Sequence, residues 1–491
     1  MLNQSTIATA RSGLETGKIT ATELTQACLD QITAIDPTYH AYLSVHAERA
    51  LAAAGEADNL MRRGITHQDR PLLGIPISLK DNMAVQGAPL TCASRILENF
   101  VSPYDGTVAK RLKDAGAILL GRLNLDEFAM GSSTENSAFG TSRNPWDPSR
   151  TPGGSSGGSA VAVKTDQCVA ALGSDTGGSI RQPAAYCGCV GLKPSYGRVS
   201  RFGLVAYASS LDQIGPVTKT VQDSATLLNV IAGHDPQDST SVPQGVPDYT
   251  EALEEGVKGL RIGLPKEYFV EGLDPEVRSA VDQAVTQFSE LGAEIVEIQL
   301  PHSDYAIATY YLIATAEASA NLARFEGIRY GHRVDGDDPF TLNSRTRGQG
   351  FGPEVKRRVI LGTYCLSSGY YDAYYLRAQK VRTLIREDFL RAYEKVDLVL
   401  TPTTPSPAFL LGEKMADPLQ MYLLDIFTIS ANLTGNCGIS LPCGLTKDPL
   451  LPIGLQLLGK PFDESTLLRA AHTFEQANQW HLKRPPLQAS D

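Results

Sequence analysis

Several absences narrow the reading of this 491-residue chain before any motif is sought. No run of about 18 uninterrupted apolar residues occurs, which argues against a membrane-spanning helix. Arg11 and Glu15 stand where a secretory leader needs an apolar core, so a cytoplasmic protein, or its organellar equivalent, is expected. Basic excess is missing too. The formal net charge is -10, and a surface of that sign does not by itself grip nucleic-acid phosphates. Histidine is scarce: none of the eight lies between residues 68 and 233. The eight cysteines are dispersed rather than framing a small domain, the pattern of reduced thiols. Cys187 and Cys189 lack the second close Cys or Cys-His pair that a tetrahedral zinc site requires, so no metal is expected in this chain.

What is present is ordinary globular composition, with 42% hydrophobic and 20% charged residues, enough to bury a large core. Thr20 with Glu23 forms a capping box ahead of Leu24, Cys28, Ile32 and Ile35 at helical spacing, and a second helix is expected from Ala47 to Arg63. The first sixty-five residues therefore read as helical. After Pro71 the period changes to two: Leu73, Ile75, Ile77 and Leu79 alternate as in a strand that ends on Lys80. Beyond it helix and strand signals alternate to the last helix near Glu464–Ala477, which predicts a parallel or mixed sheet covered by helices. Stretches 234–249 and 345–353 have linker-like composition without any compositional change beyond them, so one large α/β domain is favoured over several.

The densest signal is a pair of Gly/Ser clusters, Gly153-Gly154-Ser155-Ser156-Gly157-Gly158-Ser159 and Gly173-Ser174-Asp175-Thr176-Gly177-Gly178-Ser179. A flexible linker is disfavoured because Ala160-Val161-Ala162-Val163 follows at once. A G-x-S-x-G elbow at Ser155 or Ser156 lacks the strand that should lead into it. Gly454 to Lys460 imitates a phosphate loop until Pro461 displaces the Ser or Thr that binds magnesium, and its apolar interior reads as core. A nucleophile at Ser179 preceded by two glycines brings consecutive N–H groups to an oxyanion. With no histidine nearby, lysine is the next base, provided burial lowers its pKa. Lys80, closing an apolar strand, fits best.

Lys80, Ser155 seventy-five positions on and Ser179 twenty-four further, in these surroundings, resemble the amidase signature family and its Ser-cisSer-Lys triad. The resemblance implies one α/β/α body around a mixed sheet, residues 66–491, with residues 1–65 as a helical segment packed on it. It implies Ser179 as the acylated nucleophile, Ser155 as proton relay and Lys80 as base. Thr176, Gly177, Gly178 and the Ser179 N–H would form the oxyanion hole. The runs 124–136, 317–325 and 356–375 resemble one branch, the A subunits of glutamyl-tRNA(Gln) amidotransferases. That branch hydrolyses glutamine, whose α-carboxylate and α-ammonium the likeness assigns to Arg358 and Asp425, with Tyr310 and Ser132 as further contacts. Subunits B and C would complete a heterotrimer, with ATP and magnesium at a partner, misacylated Glu-tRNA reached through the complex, and no cofactor in this chain. A freestanding amidase acting on another primary carboxamide is the alternative.

Overall fold

The computed structural model describes residues 1–269 and 272–488. Its centre is a single 11-stranded sheet in the order β1-β3-β2-β4-β6-β5-β10-β11-β9-β7-β8. The strands are β1 (Tyr42–Val45), β2 (Pro76–Lys80), β3 (Ile118–Leu123), β4 (Ala170–Asp175), β5 (Val190–Lys193), β6 (Gln213–Thr218), β7 (Arg261–Pro265), β8 (Glu294–Ile298), β9 (Leu398–Pro402), β10 (Cys437–Leu445) and β11 (Pro452–Gly459). Parallel pairing is confined to two groups, β3-β2-β4 and β9-β7-β8. Antiparallel strands run between them. The expected α/β body with a mixed sheet is what forms. The main apolar core draws on residues from Ile7 to Phe474, with a smaller cluster of Tyr186, Ala408, Phe409, Met421 and Leu424 beside it.

Local chemistry explains most of the elements. The capping box at Thr20 is present, and the helix Ala21–Tyr39 ends on His40 in the left-handed region. The second expected helix spans Ala47–Arg62. Strands buried on both faces, such as β2, β4, β10 and β11, carry the near-continuous apolar or small residues such burial selects. The phosphate-loop mimic at Gly454 is the interior of β11.

Three expectations need correction. Residues 1–65 are not all helical: Tyr42–Val45 is an edge strand paired antiparallel with β3, and four residues are too short to show a period. Of the linker-like stretch 345–353, residues 345–350 end the helix Pro339–Gly350 and Pro353 begins the helix Pro353–Cys365, with only Phe351 and Gly352 between them, so helix contacts override poor propensity there. Strands β5 and β6 were not anticipated, because Gly191, Gly215 and Pro216 break the β pattern.

Candidate active site

The neighbouring parallel strands β2 and β4 deliver their C-terminal ends to the same side of the sheet, and the chemistry-bearing side chains gather there. Lys80, the last residue of β2, points its Nζ at two hydroxyls, Ser155 Oγ at 2.7 Å and Ser156 Oγ at 2.9 Å, with the Ser174 carbonyl at 3.4 Å. All three of these side chains are fully buried. Burial pushes the Lys80 amine down to about 7, outweighing the opposite pull of Asp126, Asp175 and Asp212. A neutral amine has two N–H bonds and one lone pair. The Ser156 hydroxyl and Ser174 carbonyl match the two donors, leaving the lone pair for the Ser155 proton. Ser156 is itself held, donating to the Ser174 carbonyl at 3.1 Å and accepting from the Ser174 N–H at 3.3 Å. The Gly154–Ser155 peptide is cis.

The chain leaves β4 at Asp175, turns through Thr176-Gly177-Gly178-Ser179 and enters the helix Arg181–Cys187. Asp175 and Arg181 form a fully buried ion pair at 3.1 Å, with Asn432 and Gln456 satisfying the remaining donors and acceptors. Burial alone would raise the Asp175 pKa; Arg181 more than reverses this, to about 2. The same carboxylate accepts the Gly178 N–H at 2.8 Å. That donor is therefore engaged within the loop. The N–H groups of Gly177 and Ser179 reach no acceptor among the described residues. Thr176 turns its hydroxyl to Asp212 at 2.7 Å. Gly178, at φ +136°, has no room for a side chain, since a Cβ would lie 2.2 Å from Thr428 Oγ1. Ser179 retains 8% exposure, where Lys80 and Ser155 have none. No hydrogen bond joins the hydroxyls of Ser155 and Ser179 among the described residues. The segments meet through the Ser156 N–H and the Ser179 carbonyl at 3.1 Å.

Beside this loop lies a second group of polar side chains. Arg358, on the helix Pro353–Cys365, is 3% exposed and donates to Glu354 at 2.7 Å and to the Tyr207 hydroxyl at 2.7 Å. Its guanidinium lies 5.2–5.6 Å from the ring centres of Tyr207, Tyr311 and Tyr422. Nη2 has no partner among the described residues. The adjacent Arg357 side chain, by contrast, is half exposed. A cleft of about 500 Å³ opens onto Arg358, Glu354 and Tyr422. Asp425 is buried and, among the described residues, has no cation in contact, only the Ser132 hydroxyl at 2.6 Å. Burial outweighs that hydrogen bond and the Arg358 charge, lifting its carboxyl to about 7. Tyr310 lies over the 176–179 loop: a Cβ on Gly177 would sit 2.7 Å from its hydroxyl oxygen. Thr428 donates to the carbonyls of Gly177 at 2.6 Å and Asp425 at 3.1 Å, tying the two groups together.

A family model described as Amidase matches residues 23–468, nearly the whole chain. The chain belongs to the amidase family. The A subunit of glutamyl-tRNA(Gln) amidotransferase from Geobacter sp. (strain M21) is 59% identical over 475 residues, 96% of this chain and 97% of that protein. Among solved structures, the A subunit of the enzyme of the same name from Thermotoga maritima superposes with a TM-score of 0.82 at 41% identity, covering 100% and 99% of the two chains. The peptide amidase of Stenotrophomonas maltophilia gives 0.82 at 30% identity, covering 99% of each. Among the described residues of this amidase, no helix is long and apolar enough to cross a membrane.

Sequence reasoning missed several members of this amidase site. Ser156, read only as an alternative nucleophile, is a second partner of Lys80. Asp126 gathers the N–H groups of Thr134 and Asn136 at 2.9 and 3.1 Å, while its own N–H holds the Ser155 carbonyl at 3.3 Å. Glu354, Tyr207 and Tyr422 enclose Arg358. Glu354 stands one helical turn before Arg358, a spacing that could have marked it. The tyrosines come from distant segments and left no local signal.

Proposed function

We propose that this amidase is the glutamine-hydrolysing subunit of a tRNA-dependent amidotransferase that converts Glu-tRNA(Gln) to Gln-tRNA(Gln). The observation that carries the reading is that, among the described residues, buried Asp425 has no cation on it and buried Arg358 has an unpartnered Nη2, both next to the 176–179 loop. An α-amino acid with a terminal carboxamide supplies what both lack. Its ammonium would neutralise Asp425 and its carboxylate would take Nη1 and Nη2 of Arg358, with Ser132 and Tyr310 as flanking contacts. Relatives named as the A subunit of glutamyl-tRNA(Gln) amidotransferase support glutamine over other carboxamides.

In this reading neutral Lys80 draws the Ser155 proton as Ser155 draws that of Ser179. The freed Ser179 oxygen attacks the carboxamide carbon, and the N–H groups of Gly177 and Ser179 receive the oxyanion. The Gly178 N–H, bound to Asp175, orders the loop instead. Return of the proton through Ser155 lets ammonia leave, and water resolves the glutamyl ester by the same path. Closing the Ser155–Ser179 step requires one of the two hydroxyls to move toward the other on substrate binding. Ammonia would then pass to subunits B and C, which would hold ATP and magnesium and use them to activate the side-chain carboxylate of misacylated Glu-tRNA, in the cytoplasm or its organellar equivalent.

Steady-state ammonia release from glutamine tests this, comparing the lone chain with the complex, with and without Glu-tRNA and ATP. Release should be slow alone and rise in the complex. Equal rates in all conditions, or turnover only of amides lacking the α-ammonium and α-carboxylate, would favour a freestanding amidase.

A further inference from the structure

The helix that carries Arg358, Pro353–Cys365, is held at its start by a side chain outside the triad. Glu127 is 2% exposed, accepts the Gly352 N–H at 2.8 Å and takes the hydroxyl of buried Ser94, which also reaches the Gly350 carbonyl at 3.2 Å. Gly352 is the N-cap of the helix, and a Cβ on it would lie 2.5 Å from Glu127 Oε2, so glycine is what lets the carboxyl approach. Between these contacts Phe351 packs edge-on against Phe128, 5.7 Å between ring centres. The backbone beneath the clamp is strained. Cys92, Ala93, Phe128 and Ala129 all lie in the left-handed region at φ 51–61°, and the Phe128 N–H on the Cys92 carbonyl at 2.9 Å joins the two segments. Such strain in non-glycine residues persists where the surroundings over-determine it, and it clusters at functional sites. Glu127 and Ser94 flank these four residues and reach the same helix end.

The segment bearing Glu127 also touches the rest of the site. The Asp126 N–H holds the Ser155 carbonyl at 3.3 Å, and Ser132 donates to Asp425 at 2.6 Å. Arg358 follows the cap Gly352 by six residues, about 9 Å along the axis at roughly 1.5 Å per residue, so a shift at the clamped end carries the guanidinium with it. Glu127 and Gly352 both line the cleft of about 500 Å³ that opens onto Arg358. We propose that Glu127 is a positioning residue: by clamping the start of the helix Pro353–Cys365 to the segment that carries Ser132, it fixes the span between Arg358 and Asp425 and so sets how tightly glutamine binds. The proposal rests on the glutaminase reading. Burial outweighs the Ser94 and Gly352 hydrogen bonds and lifts the Glu127 carboxyl to about 7, so its neutral form is accessible near neutrality. The clamp therefore needs hydrogen bonds rather than charge. In Glu127→Gln the amide oxygen would accept the Gly352 N–H, and the amide N–H would donate to Ser94, whose own hydroxyl keeps the Gly350 carbonyl. Glu127→Asp, one methylene shorter, withdraws the carboxyl from Gly352.

The test uses the full chain copurified with its partner subunits, as wild type and as Glu127→Gln, Glu127→Asp and Glu127→Ala. The readouts are glutamine KM and kcat, the rate at which a fluorophosphonate labels Ser179, and the glutamine concentration that halves this labelling. Glu127→Asp and Glu127→Ala should raise KM and the half-protecting concentration on the order of 10-fold, with kcat and unprotected labelling within about twofold of wild type. Glu127→Gln should bring KM and protection back to within about twofold of wild type. A fall in kcat and labelling with KM unchanged overturns the proposal, because Glu127 would then support the chemistry or the fold rather than recognition. So does a Glu127→Gln variant as impaired in KM as Glu127→Asp, because the carboxylate would then act as a charge on the α-ammonium itself. Where Glu127→Ala does not fold, this contrast between Asp and Gln decides alone. Wild-type labelling that glutamine does not protect overturns the glutaminase reading, whatever the variants do.

Discussion

The two halves of the site are built differently. Lys80, Ser155, Ser156 and Ser174 sit at the ends of central strands or the start of a buried helix, with no exposure beyond 2%, and each is held by at least one neighbour within the group. Arg358, Asp425 and Tyr310 come from helices and turns outside the sheet, and the helix bearing Arg358 presents an exposed apolar face on its other side. Proton transfer tolerates little displacement, which suits the strand ends. Substrate recognition placed on a helix with an open outer face can respond to what covers that face.

The contrast is broken most directly by substitution on each side. Ser179→Ala or Lys80→Arg should lower glutamine kcat by on the order of 10⁴-fold, the latter because a guanidinium stays charged. Arg358→Ala should instead leave fluorophosphonate labelling of Ser179 intact and reduce kcat/KM for glutamine about 100-fold, chiefly through KM. Ser156→Ala removes one Lys80 partner and should cost about 10-fold in kcat, consistent with one hydrogen bond. If Arg358→Ala abolished labelling as Ser179→Ala does, the division between chemistry and recognition would fail.

Titration sharpens it further. In the proposed mechanism the Lys80 amine acts when neutral, and burial brings it down to about 7, so kcat should fall as pH drops below about 7. Asp425 must be ionised to hold an ammonium and also titrates near 7, so glutamine KM should rise over the same range. The Ser132 hydrogen bond lowers the Asp425 value. Ser132→Ala should therefore move the KM limb to higher pH and leave the kcat limb in place. Coincident movement of both limbs would show that one group governs both.

The smallest expected effect separates burial from function. Glu475, in the helix Glu464–Asn478, accepts the Val221 N–H at 2.9 Å, and burial lifts its carboxyl to about 8. Like Asp425 it is a buried acid, but it faces no nucleophile loop. A raised folded pKa contributes stability that is complete below the unfolded value, about 4.3, and is lost as pH rises toward about 8. Glu475→Gln should match wild type near pH 4 and unfold on the order of 2 °C higher at pH 9, with glutamine kinetics unchanged. Destabilisation at pH 9 would show that the ionised form has a partner.

Much of this was legible in residue order because it is local. The capping box at Thr20, the period-two run into Lys80 and the two Gly/Ser clusters each occupy a few consecutive residues whose backbone demands are specific. Strand β1 escaped because four residues carry no period, and the helix Pro339–Gly350 because its Gly and polar content contradicts its state. Likewise Glu354 and Tyr422 around Arg358 could not be weighed, since a charged run such as 356–358 reads as solvated until its neighbours are known.

Sequence by itself determined the α/β class and the family, and it named Ser179, Ser155 and Lys80 as candidate nucleophile, relay and base, because these rest on residue identity and short-range pattern. Tertiary structure alone decided which side chains meet. It brought Lys80 against Ser156 as well as Ser155, turned the Gly178 N–H onto Asp175, and left Asp425 without a cation in contact among the described residues. Those outcomes depend on burial and on ångström-scale approach between segments up to 293 positions apart, which no local pattern encodes.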